Sequence, residues 1–469
     1  MKNPFRWFLT GPDKPRITDP QVVRKQFLKR RYSGVIAMTI GYAMYYVMRL
    51  PLSVAKQPLL EAGLTAPQLG VIGAGLTIAV ALGKFTNGFI GDHANIKKII
   101  PLGLLGAAIV NVVLGLAPVY YGLFVVMWVL NGCFQSMGSA PATVSLSQWF
   151  PKKQLATWYG FFGIAHYLGE GLTYVGTAFI VAALGWRQAF LIPGVICIVL
   201  SAVVFYFMND RPQTYGLPSA DEFAGETALA KIEEKTSTKE AQIEAAKNPF
   251  VWFAAFSAIF LGITRYSVAS WGVIFLQEQG GYEIVTAGST LGIVAVMGGV
   301  GSVLSGIISD KIFKSRHAIT SIVFGIVMIL GILGIVTLYE NRMLCMVSAA
   351  VYGFALGIEL SFLGGMLAVS LVSQKATGAA MGMVGLLAYF GATAQEIING
   401  WMMGHFSTTV DGVTTYHFES IIIFWVASTI LMVVFVFPVL YGQIRQEKRL
   451  RQEELELKKV NTSDSIETL

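Results

Sequence analysis

The sequence predicts an all-α membrane protein of twelve transmembrane helices in two pseudo-symmetric six-helix bundles. Three observations carry that prediction. Apolar stretches long enough to cross a bilayer recur along the chain, one polar interval divides them six from six, and charged features repeat at nearly constant spacing across the halves.

The first observation is compositional. Of 469 residues, 54% are hydrophobic and 13% charged, with mean hydropathy +0.62. A soluble chain carries roughly 25% charged residues, so most of this surface does not face water. A helix of about 20 apolar residues spans a hydrocarbon core about 30 Å thick. Such stretches lie near 33–57, 67–90, 99–117, 120–147, 155–182, 187–208, 250–277, 285–308, 317–338, 343–372, 376–403 and 419–442.

The second observation is the interval 209–248, polar and too charged to bury. It reads as a cytoplasmic linker, part helical where Ala, Glu and Lys cluster. The expected organisation is an N-terminal segment (1–32), a first bundle (33–208), the linker (209–248), a second bundle (249–442) and a tail (443–469).

The third is a repeat. Arg49 and Arg265 each interrupt an apolar run and lie 216 positions apart. Asp92 and Asp310, each ending a run in "GFIGDHANIKK" and "GIISDKIFKSR", lie 218 apart, and Lys153 and Lys375 lie 222 apart. A tandem repeat of six crossings keeps its orientation, so the bundles should relate by an axis along the membrane normal. Glycines at close spacing, among them Gly160 and Gly163, Gly169 and Gly171, Gly299 and Gly301, and Gly378 and Gly382, are expected chiefly at helix contacts, with a minority on moving surfaces.

Basic residues gather at Arg24, Lys25, Lys29, Arg30 and Arg31, in "NIKK", "PKKQ" and "DKIFKSR", at Lys375 and in the C-terminal tail. With twelve crossings these fall on one side, and the opposite loops hold only Lys56, Arg187 and Arg342. The bias places both termini in the cytoplasm, and it explains the net charge of +7 without nucleic acid. No cleavable leader is expected at the N-terminus. Cys133, Cys197 and Cys345 sit in apolar segments at unrelated spacing, which gives neither a disulfide framework nor a metal site.

The chemistry expected is that of binding. A guanidinium is always charged and costly at membrane depth, so Arg49 and Arg265 together suggest a two-sided clamp for an anion, and hence a transporter. Lys84 would add positive potential, unless it pairs with an acidic neighbour or snorkels to the interface. His166 could donate to a phosphate. Glu170, Glu359 and Glu396 are each protonated, paired with a buried cation, or on a proton path. Tyr42, Tyr46 and Tyr266 could present hydroxyls, while Tyr45, Trp158, Tyr159 and Trp271 fit core packing. "GLTIAVALGKF" is no phosphate loop, since Phe85 follows Lys84 and the stretch lies inside a crossing. No metal spacing or catalytic constellation exists, so neither an enzyme nor a cofactor is expected.

The motifs "GYAMYYVMRLPLSVA", "GKFTNGFIGDHAN", "NGCFQSMGSAP" with "WFPKKQ", "AHYLGEG", "DRPQTYGLP", "ITRYSVASW" and "ISDKIFKSR" carry a resemblance over about Asp19 to Tyr441. The chain resembles the organophosphate:inorganic phosphate antiporters of the major facilitator superfamily. That group holds glycerol-3-phosphate, hexose-6-phosphate and phosphoglycerate transporters and a hexose-phosphate sensor. The resemblance implies that Arg49 and Arg265 bind the phosphoryl group from opposite bundles, that Lys84 and His166 line the same path, and that Asp92, Asp310 and Arg316 form the loop motifs. It also implies a monomer in a bacterial inner (plasma) membrane.

Four departures stand out. Leu50 follows the first arginine where lysine is usual, Ser270 precedes Trp271 where aspartate is, and Glu170 replaces glycine. Met381 and Val384 stand where the hexose-6-phosphate transporter has a charged pair. "WVLNGCFQSMGSAP", "GWRQ" and "DRPQ" lean toward the sensor-like branch.

The expected function is exchange of inorganic phosphate for a phosphorylated metabolite, a sugar phosphate such as glucose 6-phosphate first, else glycerol 3-phosphate or phosphoglycerate. Two unneutralised arginines should resist closing over an empty cavity, which would make exchange obligatory. The alternatives are a membrane sensor of hexose phosphate signalling to a kinase, and a proton-coupled organic-anion symporter using Glu170, Glu359 or Glu396.

Overall fold

The structure, a computed structural model, describes residues 8–91, 94–225, 238–372, 376–411 and 413–445. Twelve helical stretches among them are long and apolar enough to cross a membrane. In the first lobe these are built from α1 (Pro20–Arg49), α2 (Pro51–Val54) and α3 (Lys56–Glu61), then α4 (Ala66–Gly91), α5 (Ile96–Leu116), α6 (Tyr121–Trp149), α7 (Lys152–Leu184) and α8 (Trp186–Phe207). Two short helices follow, α9 (Ala220–Ala224) and α10 (Thr238–Lys247). The second lobe comprises α11 (Pro249–Glu278), α12 (Ile284–Lys311), α13 (His317–Thr337), α14 (Arg342–Ser361), α15 (Leu367–Val369), α16 (Thr377–His405) and α17 (Glu419–Val434).

Local chemistry sets the ends of the two arginine-bearing helices. The Asp19 side chain accepts from the Gln21 and Val22 N–H groups ahead of Pro20, and the Asn248 side chain accepts from Phe250 N–H ahead of Pro249. At the other end the two differ. Pro51 lacks the N–H that would continue α1, so the helix stops at Arg49 and restarts as α2. The carbonyls around this break are served by side chains. Asn111 and Asn131 both donate to Met48 O, at 3.0 and 2.9 Å, and Gln135 donates to Tyr45 O at 2.7 Å. These buried amides from α5 and α6 fix the interruption and so the place of Arg49. In contrast, α11 runs unbroken through Arg265.

The two lobes repeat one packing scheme. In the first, α4 packs on α6, α5 on α8 and α1 on α7; in the second, α12 packs on α14, α13 on α17 and α11 on α16. Across the lobes α4 meets α16 and α7 meets α12, pairs that the six-helix repeat interchanges. Large apolar side chains such as Leu116, Leu172, Val199, Val303 and Leu330 stay exposed on the outer surfaces, where hydrocarbon imposes no penalty.

Between α16 and α17 the chain forms a two-stranded antiparallel hairpin, β1 (Ser407–Val410) with β2 (Val413–Tyr416), Thr408 opposite Thr415. The sequence reading had only a loop there. At the termini-bearing end, the segment before α1 is clasped to the start of the interlobe connection. Thr10 donates to Asp210 at 2.8 Å, Arg211 pairs with Asp13 at 2.7 Å, and Arg16 pairs with Glu222 at 3.0 Å.

The lobes are sealed at one end and parted at the other. One apolar core runs through the second lobe and, at the end away from the termini, takes in the first lobe too, joining Val54, Leu59, Leu69 and Leu76 to Trp271, Phe275 and Leu276. Toward the termini the first lobe keeps a separate core around Phe27, Met38, Leu104 and Trp149. The glycines report the same asymmetry and correct the expectation drawn from their spacing. Gly169 packs on the Ala43 backbone and Gly301 on Phe354, but Gly160, Gly163, Gly378 and Gly382 have no neighbour within 4 Å of an added Cβ. These four lie near the starts of α7 and α16, at the open end.

Candidate substrate-binding site

Arg49 ends α1 because Pro51 breaks the helix, and Arg265 lies midway along α11, so both guanidinium groups reach the interlobe cleft from opposite sides. They share one tyrosine. The Arg49 and Arg265 guanidinium carbons lie 5.2 and 5.0 Å from the centroid of the Tyr266 ring. Arg49 also donates to the Tyr266 hydroxyl at 3.3 Å, a bond across the lobes. A negative ring face between two guanidiniums lowers their mutual repulsion without cancelling either charge.

Their other partners differ. Arg265 donates to His166 Nε2 at 2.6 Å and to Glu170 Oε1 at 3.2 Å, both on α7 of the opposite lobe. The same His166 Nε2 lies 3.3 Å from Glu170 Oε1, so the imidazole, the carboxylate and the guanidinium form one three-membered cluster. Arg49 also lies 5.9 Å from the Tyr46 ring and 6.0 Å from that of Tyr389. Lys84 points into the same cluster, its Nζ 4.6 Å from the Tyr389 centroid.

The structure thus gathers Arg49, Arg265, Lys84, His166, Tyr46 and Tyr266 around one volume, with Tyr42 behind Tyr46 at 5.6 Å. Glu170 belongs to this group through Arg265, which corrects the expectation of two unneutralised arginines. Tyr389 is a site residue that the sequence reading missed. It lies 222 positions after Tyr167, the spacing already seen between Lys153 and Lys375, so the repeat pointed to it. Of the remaining aromatic cluster, Tyr45 donates to Ile100 O at 2.7 Å and Trp158 stacks on Phe150 at 4.4 Å, both inside the first lobe.

Glu359 and Glu396 lie elsewhere. Glu359 is buried inside the second lobe, accepting from Ser321 at 2.6 Å and facing no cation among the described residues. Glu396 forms the centre of the seal. Lys56, expected to be an exposed loop residue, is fully buried and crosses from the first lobe to meet it. Its ammonium lies 3.3 Å from Glu396 Oε2, donates to Ser270 Oγ at 2.7 Å, and sits 3.3 Å from the centroid of Trp271. Trp271 Nε1 donates to the same carboxylate oxygen at 2.9 Å. One buried cation therefore holds three groups of the opposite lobe, Ser270 among them.

Gly73 on α4 makes room for this carboxylate. A Cβ there would fall 2.6 Å from Glu396 Cδ and Oε2, nearer than real contacts allow. Gly73→Ala is therefore expected to destabilise the closed arrangement by about 1–3 kcal/mol, as overpacking does. A lowered melting temperature of the purified protein would show it, and an unchanged one would mean that the seal yields without cost.

Of the loop-motif residues, Asp310 accepts from Ser315 at 2.7 Å in a turn where Lys314 and Ser315 take positive φ, and Arg316 precedes α13 on the surface. Asp92 and Lys375 lie outside the described residues.

Two six-helix lobes, a charged cleft between them and a seal at one end are the layout of an alternating-access carrier. The sequence pattern of the Major Facilitator Superfamily matches residues 36–395, most of both lobes. The chain belongs to that superfamily. This facilitator is 31% identical over 393 residues to the probable hexose phosphate transport protein of Chlamydia muridarum, covering 80% of this chain and 86% of the relative. It is 27% identical over 402 residues to the membrane sensor protein UhpC of Escherichia coli, covering 84% and 90%. Among solved structures, a bacterial homologue of the human lysosomal transporter Spinster superposes with TM-score 0.65 at 18% identity, over 88% of this chain and 96% of that one, a likeness that concerns the fold. The facilitator is a multi-pass membrane protein.

Proposed function

We propose that this facilitator exchanges inorganic phosphate for a phosphorylated metabolite, a sugar phosphate such as glucose 6-phosphate first, by rocking its lobes about the cleft. The observation that carries the reading is the pair of arginines, one from each lobe, that meet at one tyrosine ring, with a lysine and a histidine beside them. Guanidinium groups match phosphoryl oxygens in geometry and charge, and a dianion held by both lobes favours their closure. The relatives named for hexose phosphate transport support the same class of cargo. The positive-inside bias supports cytoplasmic termini, so the open end of the cleft faces the cytoplasm, and the bacterial relatives support an inner (plasma) membrane. The carrier acts as a monomer.

The test is counterflow. Proteoliposomes preloaded with inorganic phosphate are offered glucose 6-phosphate, glycerol 3-phosphate or 3-phosphoglycerate outside. Phosphate-dependent uptake of glucose 6-phosphate is the expected result. Tight binding of glucose 6-phosphate without flux would replace the carrier by a sensor, and uptake driven by a pH gradient without internal phosphate would replace exchange by symport.

A further inference from the structure

A cavity lined by cations alone holds its lobes apart until an anion arrives. Here one of the two arginines already has an anion. Arg265 of the second lobe is bonded to Glu170 of the first, and the contact bridges the cleft. His166, one helical turn earlier on α7, has its Nε2 2.6 Å from the same Arg265 nitrogen, so both partners come from the opposite lobe. All three side chains are largely buried, with Arg265 at 14% and Glu170 and His166 at 13% exposure. Among the described residues Arg49 faces no carboxylate, and its partners there are Tyr266, Tyr46 and Tyr389.

We propose that Glu170 is a tethered substitute for the phosphoryl group, which lets the empty cleft close and reorient, so that the protein also moves phosphate in one direction without a counter-substrate. The inference rests on the exchange reading and adds an activity to it. A carboxylate and a phosphoryl group present similar oxygens to the same N–H donors. The entering phosphate must displace Glu170 from Arg265, and the departing phosphate is replaced by it. With Glu170 in place the site carries Arg49, Lys84 and Arg265 against one carboxylate, and that smaller excess charge lowers the repulsion that opposes closing. The same competition weakens phosphate binding, because part of the binding energy goes into separating Arg265 from its resident partner.

The test uses full-length protein in liposomes loaded with labelled phosphate, with the potential clamped by potassium and valinomycin. Efflux is followed into medium free of phosphate and esters, then into medium holding glucose 6-phosphate. Wild-type efflux into the empty medium should clearly exceed that of protein-free vesicles. In Glu170→Gln and Glu170→Gly the ratio of one-way efflux to exchange should fall roughly tenfold, and the Kd for inorganic phosphate, measured by calorimetry on the purified chain, should tighten roughly tenfold. One-way efflux no faster than from protein-free vesicles, alongside brisk wild-type exchange, would overturn the proposal without use of any variant. So would an unchanged ratio, or a phosphate Kd that stays the same or weakens. Absence of wild-type exchange with every ester is a different result, and it removes the exchange reading together with this one.

Discussion

Phosphate counterflow should fall by about 100-fold in Arg265→Lys, with the fold intact, since charge-assisted phosphate contacts contribute about 1.5–3 kcal/mol each. Lysine keeps the charge and loses the planar fork. At this position the fork meets His166 Nε2 and Glu170 Oε1 on one side and lies against the Tyr266 ring on the other. An ammonium could hold one of these but not all in the same plane. Arg49→Lys should behave alike, because Arg49 uses its guanidinium to reach the Tyr266 hydroxyl across the lobes. Proteoliposome counterflow measures the loss, and the melting temperature confirms that folding is retained. Near-normal counterflow in either variant would reject the two-sided clamp.

Glu396→Gln should open the sealed end. Lys56 is fully buried and its charge is balanced by Glu396, whose other contact is the Trp271 indole. Removing one partner of a buried ion pair costs about 3–5 kcal/mol, because the remaining charge stays desolvated. The variant should melt at a lower temperature. In a cysteine-free background, a single cysteine at Ala66, now 2% exposed beside Gly400, should become reactive to an impermeant thiol reagent. The double substitution Lys56→Met with Glu396→Leu separates charge from packing. Apolar replacement of a buried pair is often neutral or stabilising, so melting temperature should recover while the seal stays shut and transport remains low. If Glu396→Gln melts like wild type and the cysteine stays protected, the ion pair does not hold the seal.

Much of the fold was legible because apolar length and charge bias are properties of sequence alone. The equal spacing of Arg49 and Arg265 even pointed to their facing one another, since a repeat places equivalent residues symmetrically about its axis. What stayed hidden depends on contacts distant in sequence. Lys56 looked like a loop cation because it lies at the end of the first apolar run, and its partner is 340 positions away. Glu170 and Glu396 were recognisable as buried carboxylates, but which cation each would meet depends on the packing of α7 and α16 against the other lobe. Asn111 and Asn131 are polar residues in apolar helices, and the Met48 carbonyl beside the break at Pro51, which both serve, is far from them in sequence. Gly160 and Gly382 matched a packing pattern that this conformation does not use.

The clasp at the N-terminus fastens the start of the interlobe connection. Thr10, Asp13 and Arg16 bind Asp210, Arg211 and Glu222 to the first lobe, while α10 rests on α11 and α16 of the second. The two described ends of the polar interval are therefore each fastened to a different lobe. Trimming the chain ahead of α1 would pay out slack at a point far from the cargo.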